Sequence, residues 1–152
     1  MGAGYASAER IIPAPAAEIY ALLADYHHGH PSILPPAFSD FTVLAGGVGA
    51  GTRIRFKLTQ GGRTREVEGR VAEPEPGRVL TETYAQQDTV TTFTVDPAVG
   101  GSRLRIETTW ESRGGIAGFV ERLLAPRLLA RLYADELDRI EQWARKRHEA
   151  GT

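Results

Sequence analysis

Hydrophobic positions along the chain follow two different periods. Between residues 52 and 59 they alternate, with Ile54, Phe56 and Leu58 on one side and Arg53, Arg55 and Lys57 on the other. A period of two marks a strand with one buried and one wet face. Residues 64–72 repeat the pattern, setting Val67, Gly69 and Val71 against Glu66, Glu68 and Arg70. Residues 103–110 repeat it again, with Leu104, Ile106, Thr108 and Trp110 opposite Arg103, Arg105, Glu107 and Thr109. Further strands are expected at 5–12, 38–44, 79–84 and 89–95. Between them lie turn-forming runs such as Gly46-Gly47-Val48-Gly49-Ala50-Gly51, Gln60-Gly61-Gly62-Arg63 and Pro74-Glu75-Pro76-Gly77. At 79–84, Glu82 and Tyr84 alternate with Thr81 and Thr83, and the pattern does not say which pair faces inward.

The helical period appears twice. Pro13-Ala14-Pro15 leads into a short helix whose Ile19, Leu22 and Leu23 form one stripe, ending near Asp25-Tyr26. Proline suits a first helical turn because the N–H it lacks would be unpaired there. Three prolines in residues 27–36 predict an irregular segment. After Gly114-Gly115, one stripe runs through Ile116, Phe119, Val120, Leu123 and Leu124. Another runs through Leu129, Leu132, Tyr133, Leu137, Ile140 and Ala144. Pro126 between them predicts either a kink or a second helix starting there, about 20 residues and so ~30 Å long.

The expected class is therefore α+β: one domain over 1–152, with a seven-stranded curved antiparallel sheet wrapped around a long C-terminal helix. A short helical segment joins strands one and two. A single helix about 10 Å wide cannot fill the concavity of so many twisted strands. The inward set includes Gly69, Thr81, Thr91 and Thr108, smaller or more polar than a packed core needs, which favours a lined cavity. Its expected walls are Ile54, Phe56, Arg65, Val67, Thr91, Phe93, Ile106, Thr108 and Trp110 on the sheet, with Leu129 and Tyr133 on the helix.

Composition narrows the partners. Eighteen basic and nineteen acidic residues nearly cancel, and no basic stripe is present, so nucleic acid is not an expected partner. With no cysteine, thiol nucleophiles and cysteine metal sites are excluded. The first residues lack a basic region followed by an apolar run, and no apolar stretch approaches the ~20 residues of a membrane span. A cytoplasmic monomer or homodimer is expected. Sixteen of the eighteen basic residues are arginine, a skew that suggests a GC-rich bacterial genome.

The chain resembles the START-like superfamily, also called SRPBCC, in its polyketide cyclase/dehydrase branch. The resemblance rests on Ile12-Pro13-Ala14-Pro15-Ala16-Ala17-Glu18-Ile19-Tyr20, a short helix closing on Asp25-Tyr26, and the Gly46–Gly51 run leading through Thr52 into a strand. It also covers Glu73-Pro74-Glu75-Pro76-Gly77-Arg78 and the terminal amphipathic helix. It implies a helix-grip fold with a deep hydrophobic cavity. Members include lipid carriers, plant hormone receptors and aromatic polyketide cyclases, whose cavity residues form no compact motif that could be carried over here.

Candidate chemistry is sparse. His27, His28 and His30 crowd one loop, where a general base or metal ligand competes with a polar cavity mouth; His30, restrained by Pro31, is the strongest of the three. Neighbouring histidines on an irregular loop rarely converge, so no metal site is expected. The Gly46–Gly51 run precedes a strand, not a helix, and reads as a hairpin and not a phosphate loop. Arg65 shares the face of Val67 and could orient an anionic ligand group, or could snorkel to water from the strand's end. Tyr133 could serve as a hydrogen-bond donor or weak acid. No cofactor fingerprint is present. Three functions stay open: a binder of a small hydrophobic molecule such as a lipid or polyketide, a cyclase or dehydratase moving protons in the cavity, and an interaction domain with a vestigial cavity.

Overall fold

The computed structural model describes the backbone of residues 3–84, 88–111 and 115–150, and side chains over 4–84, 88–111 and 126–148. The elements run β1 (Ala3–Ile12), α1 (Ala16–Ala24), α2 (Gly29–Ser32), β2 (Phe38–Ala45), β3 (Arg53–Gln60) and β4 (Arg63–Glu75). They continue with β5 (Val79–Tyr84), β6 (Thr89–Ala98), β7 (Gly101–Glu111) and α3 (Gly115–Ala150). The seven strands form one antiparallel sheet in the order β1-β7-β6-β5-β4-β3-β2. Five consecutive hairpins build it from β2 to β7. β1 then closes onto β7, pairing Tyr5 with Thr109 and Ile12 with Ser102. Between β1 and β2 the chain crosses from one edge of the sheet to the other through α1 and α2.

The alternation seen in sequence sets the faces. Ile54, Phe56, Leu58, Val67, Val71, Leu80, Phe93, Val95, Leu104 and Ile106 are buried together with Leu137, Ile140 and Ala144 of α3. On the opposite face Arg53, Arg55, Lys57, Glu68 and Arg70 are exposed or partly so. α3 packs along β1, held at its C-terminal half by Arg10 to Asp138 and by Arg147 to Glu18 at 2.7 Å.

Three expectations need adjustment. α3 is a single 36-residue helix that runs on through Pro126, so no separate helix starts there. The stripe at Ile116, Phe119, Val120, Leu123 and Leu124 lies outside the described side chains. β4 continues to Glu75, past the expected turn at Pro74. Its register with β5 shifts between Ala72 and Glu75, and such an irregularity is where a strand accepts a proline. Within the proline-rich segment, one helical turn forms at α2. There His30 N–H donates to Asp25 O at 2.8 Å, and Asp25 Oδ1 accepts from the N–H groups of His27 and His28. That turn decides where His30 goes.

Candidate functional site

A cavity of about 460 Å³ lies between the concave face of the sheet and α3, within the usual range for small-molecule sites. Phe38, Phe41, Phe56, Phe93, Trp110, Leu129 and Leu132 supply its apolar walls. Two glycines make room for these walls. A Cβ at Gly4 would sit 1.9 Å from the Trp110 ring, and one at Gly69 would sit 2.7 Å from the Tyr84 ring. Each ring occupies space that a side chain on the paired strand would otherwise fill.

Of the residues expected to line the cavity, Ile54, Phe56, Arg65, Val67, Thr91, Phe93, Thr108, Trp110, Leu129 and Tyr133 do so. Ile106 does not. It is fully buried, paired across β1, β7 and β6 with Ala8 and Phe93, and belongs to the packed core. Arg65 is exposed and borders the cavity with Gln60, Arg63 and Thr64 from the same hairpin, which matches the snorkelling alternative and not a buried arginine. The three histidines separate. His27 and His28 are exposed, whereas His30 is only 2% exposed and lines the cavity. Among the described residues no cluster of His, Asp and Glu could hold a metal ion.

His30 sits in a polar group that sequence reasoning largely missed. Its ring stacks on Tyr26, with centroids 4.7 Å apart, and meets Phe93 edge-on. Nδ1 lies 2.8 Å from the carbonyl oxygen of Leu23. A carbonyl can only accept, so Nδ1 carries the proton, and in the neutral ring Nε2 is left with its lone pair. Nε2 is 3.7 Å from Glu82 Oε2 and 3.8 Å from Glu136 Oε1, both too long for a direct hydrogen bond.

The two glutamates are both buried, at 4% and 2% exposure. Tyr26 donates its hydroxyl proton to Glu82 Oε2 at 2.6 Å, and Tyr84 donates to Oε1. Both oxygens of Glu82 thus accept, as suits a carboxylate. Burial, with Glu82 alongside, pushes both phenols well above their ordinary range. Glu136 differs: its Oε1 has no hydrogen-bond partner. Burial first, and then the charge of Glu82, drives its carboxyl well above the usual glutamate value, so it holds its proton where an exposed glutamate would not.

One turn back along α3, Tyr133 hydrogen-bonds Thr108, which is 2.8 Å from Thr91. Burial raises the Tyr133 phenol to about 12, while the threonine hydroxyls pull against it. At the cavity this group is a neutral hydroxyl, not a phenolate.

Glu136 carries a usable signal in the sequence. It stands three residues after Tyr133 and four before Ile140, on the buried stripe. Glu82 and Tyr84 face inward because they keep the phase of Leu80, which is fully buried, and Thr81, expected on the inner face, is turned to the other side.

Curved sheet, short crossing helices and long terminal helix together define the helix-grip class of α+β proteins. A family model described as polyketide cyclase / dehydrase and lipid transport matches residues 5–145. The chain belongs to that family. Among solved structures, the KanY protein is 34% identical over 95% of this chain and 99% of its own, with a TM-score of 0.82. The protein TTHA0849 from Thermus thermophilus is 23% identical over 91% of this chain and 94% of its own, with a TM-score of 0.76. The Zhui aromatase/cyclase from Streptomyces sp. R1128 shares the fold at 15% identity, 96% coverage of both chains and a TM-score of 0.80. No curated protein gives a significant match. Among the described residues, no helix is long and apolar enough to cross a membrane.

Proposed function

We propose that the protein binds a small, largely hydrophobic molecule in the cavity between sheet and α3. The observation that carries this reading is the 460 Å³ space itself, walled by aromatic and aliphatic side chains that would otherwise be expected to close on one another. Membership of a family described by both cyclase/dehydrase and lipid-transport roles supports it. Denaturing the purified protein and examining the extract by mass spectrometry tests the idea. Recovery of an acyl or aromatic compound in stoichiometric amount is the expected result. Repeated recovery of nothing, together with no uptake of an apolar fluorescent dye, would sink it.

A second reading is favoured by the Glu136–His30 pair. A carboxyl whose burial favours its proton and an imidazole whose Nε2 carries the lone pair in the neutral ring, 3.8 Å apart and both on residues that line the cavity, would serve as an acid and a base. Such a pair suits proton transfer in a cyclisation or dehydration of a carbonyl compound, with Tyr133 a further donor. Arg65 at the rim would then hold an anionic part of the substrate. Turnover of a model β-hydroxy ketone that is lost in both Glu136→Gln and His30→Phe is the expected outcome; equal turnover in the two variants and the parent would remove this reading.

A further inference from the structure

The floor of the cavity constrains the chemistry of its occupant more tightly than the walls do. Glu136 Oε1 is buried without a partner, and a polar atom in that position is costly unless something meets it. Beside it, His30 Nδ1 donates to Leu23 O, so in the neutral ring Nε2 presents its lone pair. The two atoms are 3.8 Å apart, so one oxygen placed between and in front of them could reach both. Behind them the Glu82 carboxylate is occupied by the hydroxyls of Tyr26 and Tyr84. It contributes a negative charge and no free donor.

Three ligand groups can be compared against this arrangement. A carbonyl oxygen accepts the proton of Glu136 but leaves the lone pair of His30 unmet. A carboxylate has no proton for His30 and brings a second negative charge against Glu82 in a poorly solvated place. A hydroxyl accepts from Glu136 and donates to His30, closing both needs with one atom. We propose that the cavity selects a neutral hydrophobic molecule bearing a hydroxyl, alcohol or phenol, whose oxygen bridges Glu136 and His30, and that it rejects molecules headed by a carboxylate. This deepens the binding reading and rests on it.

Binding of naphthalene, 2-naphthol and 2-naphthoate at neutral pH, each measured against the parent protein, Glu136→Leu and His30→Phe, tests the inference. The three probes share one apolar frame and differ only in the group that would reach the floor. For the parent, 2-naphthol should bind about tenfold more tightly than naphthalene, the scale of one net hydrogen bond, and 2-naphthoate more weakly than either. In both variants the advantage of 2-naphthol should vanish while naphthalene still binds, which also shows that the variants are folded. A parent that takes 2-naphthoate as tightly as 2-naphthol overturns the inference, as does a naphthol preference that survives in Glu136→Leu. Naphthalene binding without any naphthol preference overturns the inference alone. Failure of all three probes to bind the parent overturns the cavity reading and takes the inference with it.

Discussion

The β5 wall and the α3 wall of the cavity each bury a glutamate, and they treat it in opposite ways. Glu82 on β5 is met on both oxygens by tyrosine hydroxyls, one from the turn that follows α1 and one from its own strand. Glu136 on α3 has an oxygen that no described residue meets. A buried polar group that is fully satisfied ties elements together; one left short is a standing cost that a packed core would not keep. On the proposed reading, the pairing separates a carboxyl that serves the fold from one that would serve a ligand in the cavity.

Substitutions can break that contrast from either side. The largest effect is expected for Glu82→Leu, which leaves the hydroxyls of Tyr26 and Tyr84 without an acceptor. Each orphaned buried donor costs ~1–3 kcal/mol, so a loss of about 3 kcal/mol in urea unfolding is expected. Next comes Gly69→Ala, whose new methyl would displace the Tyr84 ring lying 2.7 Å away and pull its hydroxyl from Glu82. A loss of about 2 kcal/mol is expected from such overpacking, and Tyr84→Phe should reproduce part of it. Thr108→Val removes the centre of the Thr91–Thr108–Tyr133 group and should cost about 1 kcal/mol. Glu136→Leu is expected to do the reverse and stabilise by about 1 kcal/mol, because it removes a carboxyl that is desolvated without a partner.

The same substitution has a signature in pH. The folded protein holds the Glu136 proton more tightly than the unfolded chain does. The contribution of Glu136 is therefore at its most favourable below the ordinary glutamate value of 4.5. It declines as pH rises from there through the raised folded value. The stability gap between Glu136→Leu and the parent should widen in the variant's favour over that interval. A gap that stays constant from acid to neutral pH would show that Glu136 titrates like an exposed residue, and the contrast with Glu82 would then collapse.

Much of the fold is legible in the sequence because its strands carry strong contrast. In β3, β4 and β7, charged residues alternate with apolar ones, so the inner face can be read off directly. The cavity walls follow from that alternation, Ile106 excepted: it has the correct face but is fully buried in the packed core. The floor is harder to read. In β5 the alternating pairs are Thr81 with Thr83 and Glu82 with Tyr84, polar on both faces, and only Leu80 fixes the phase. Glu136 escapes notice because a charged residue on a helix is ordinarily assigned to water. The burial of His30 depends on a single helical turn, Gly29–Ser32, whose formation among prolines has no periodic signature. Residues that sit against their pattern are where chemistry concentrates, and here they are the ones that a reading by residue type passes over.

The order of the strands also sets an order of events in time. Every neighbouring pair from β2 to β7 is a hairpin, formed between segments close in the chain, but β1 pairs only with β7, about a hundred residues away. During synthesis the first strand must wait for the last one before it can dock, and that closure is entropically the slowest kind. Its inward positions from the start are Gly4, Ala6 and Ala8, among the smallest side chains available. Up to Ala8 that face carries little apolar surface, which makes this half of β1 a poor seed for aggregation while it waits, so β1 is suited to being the last strand of the sheet to be placed.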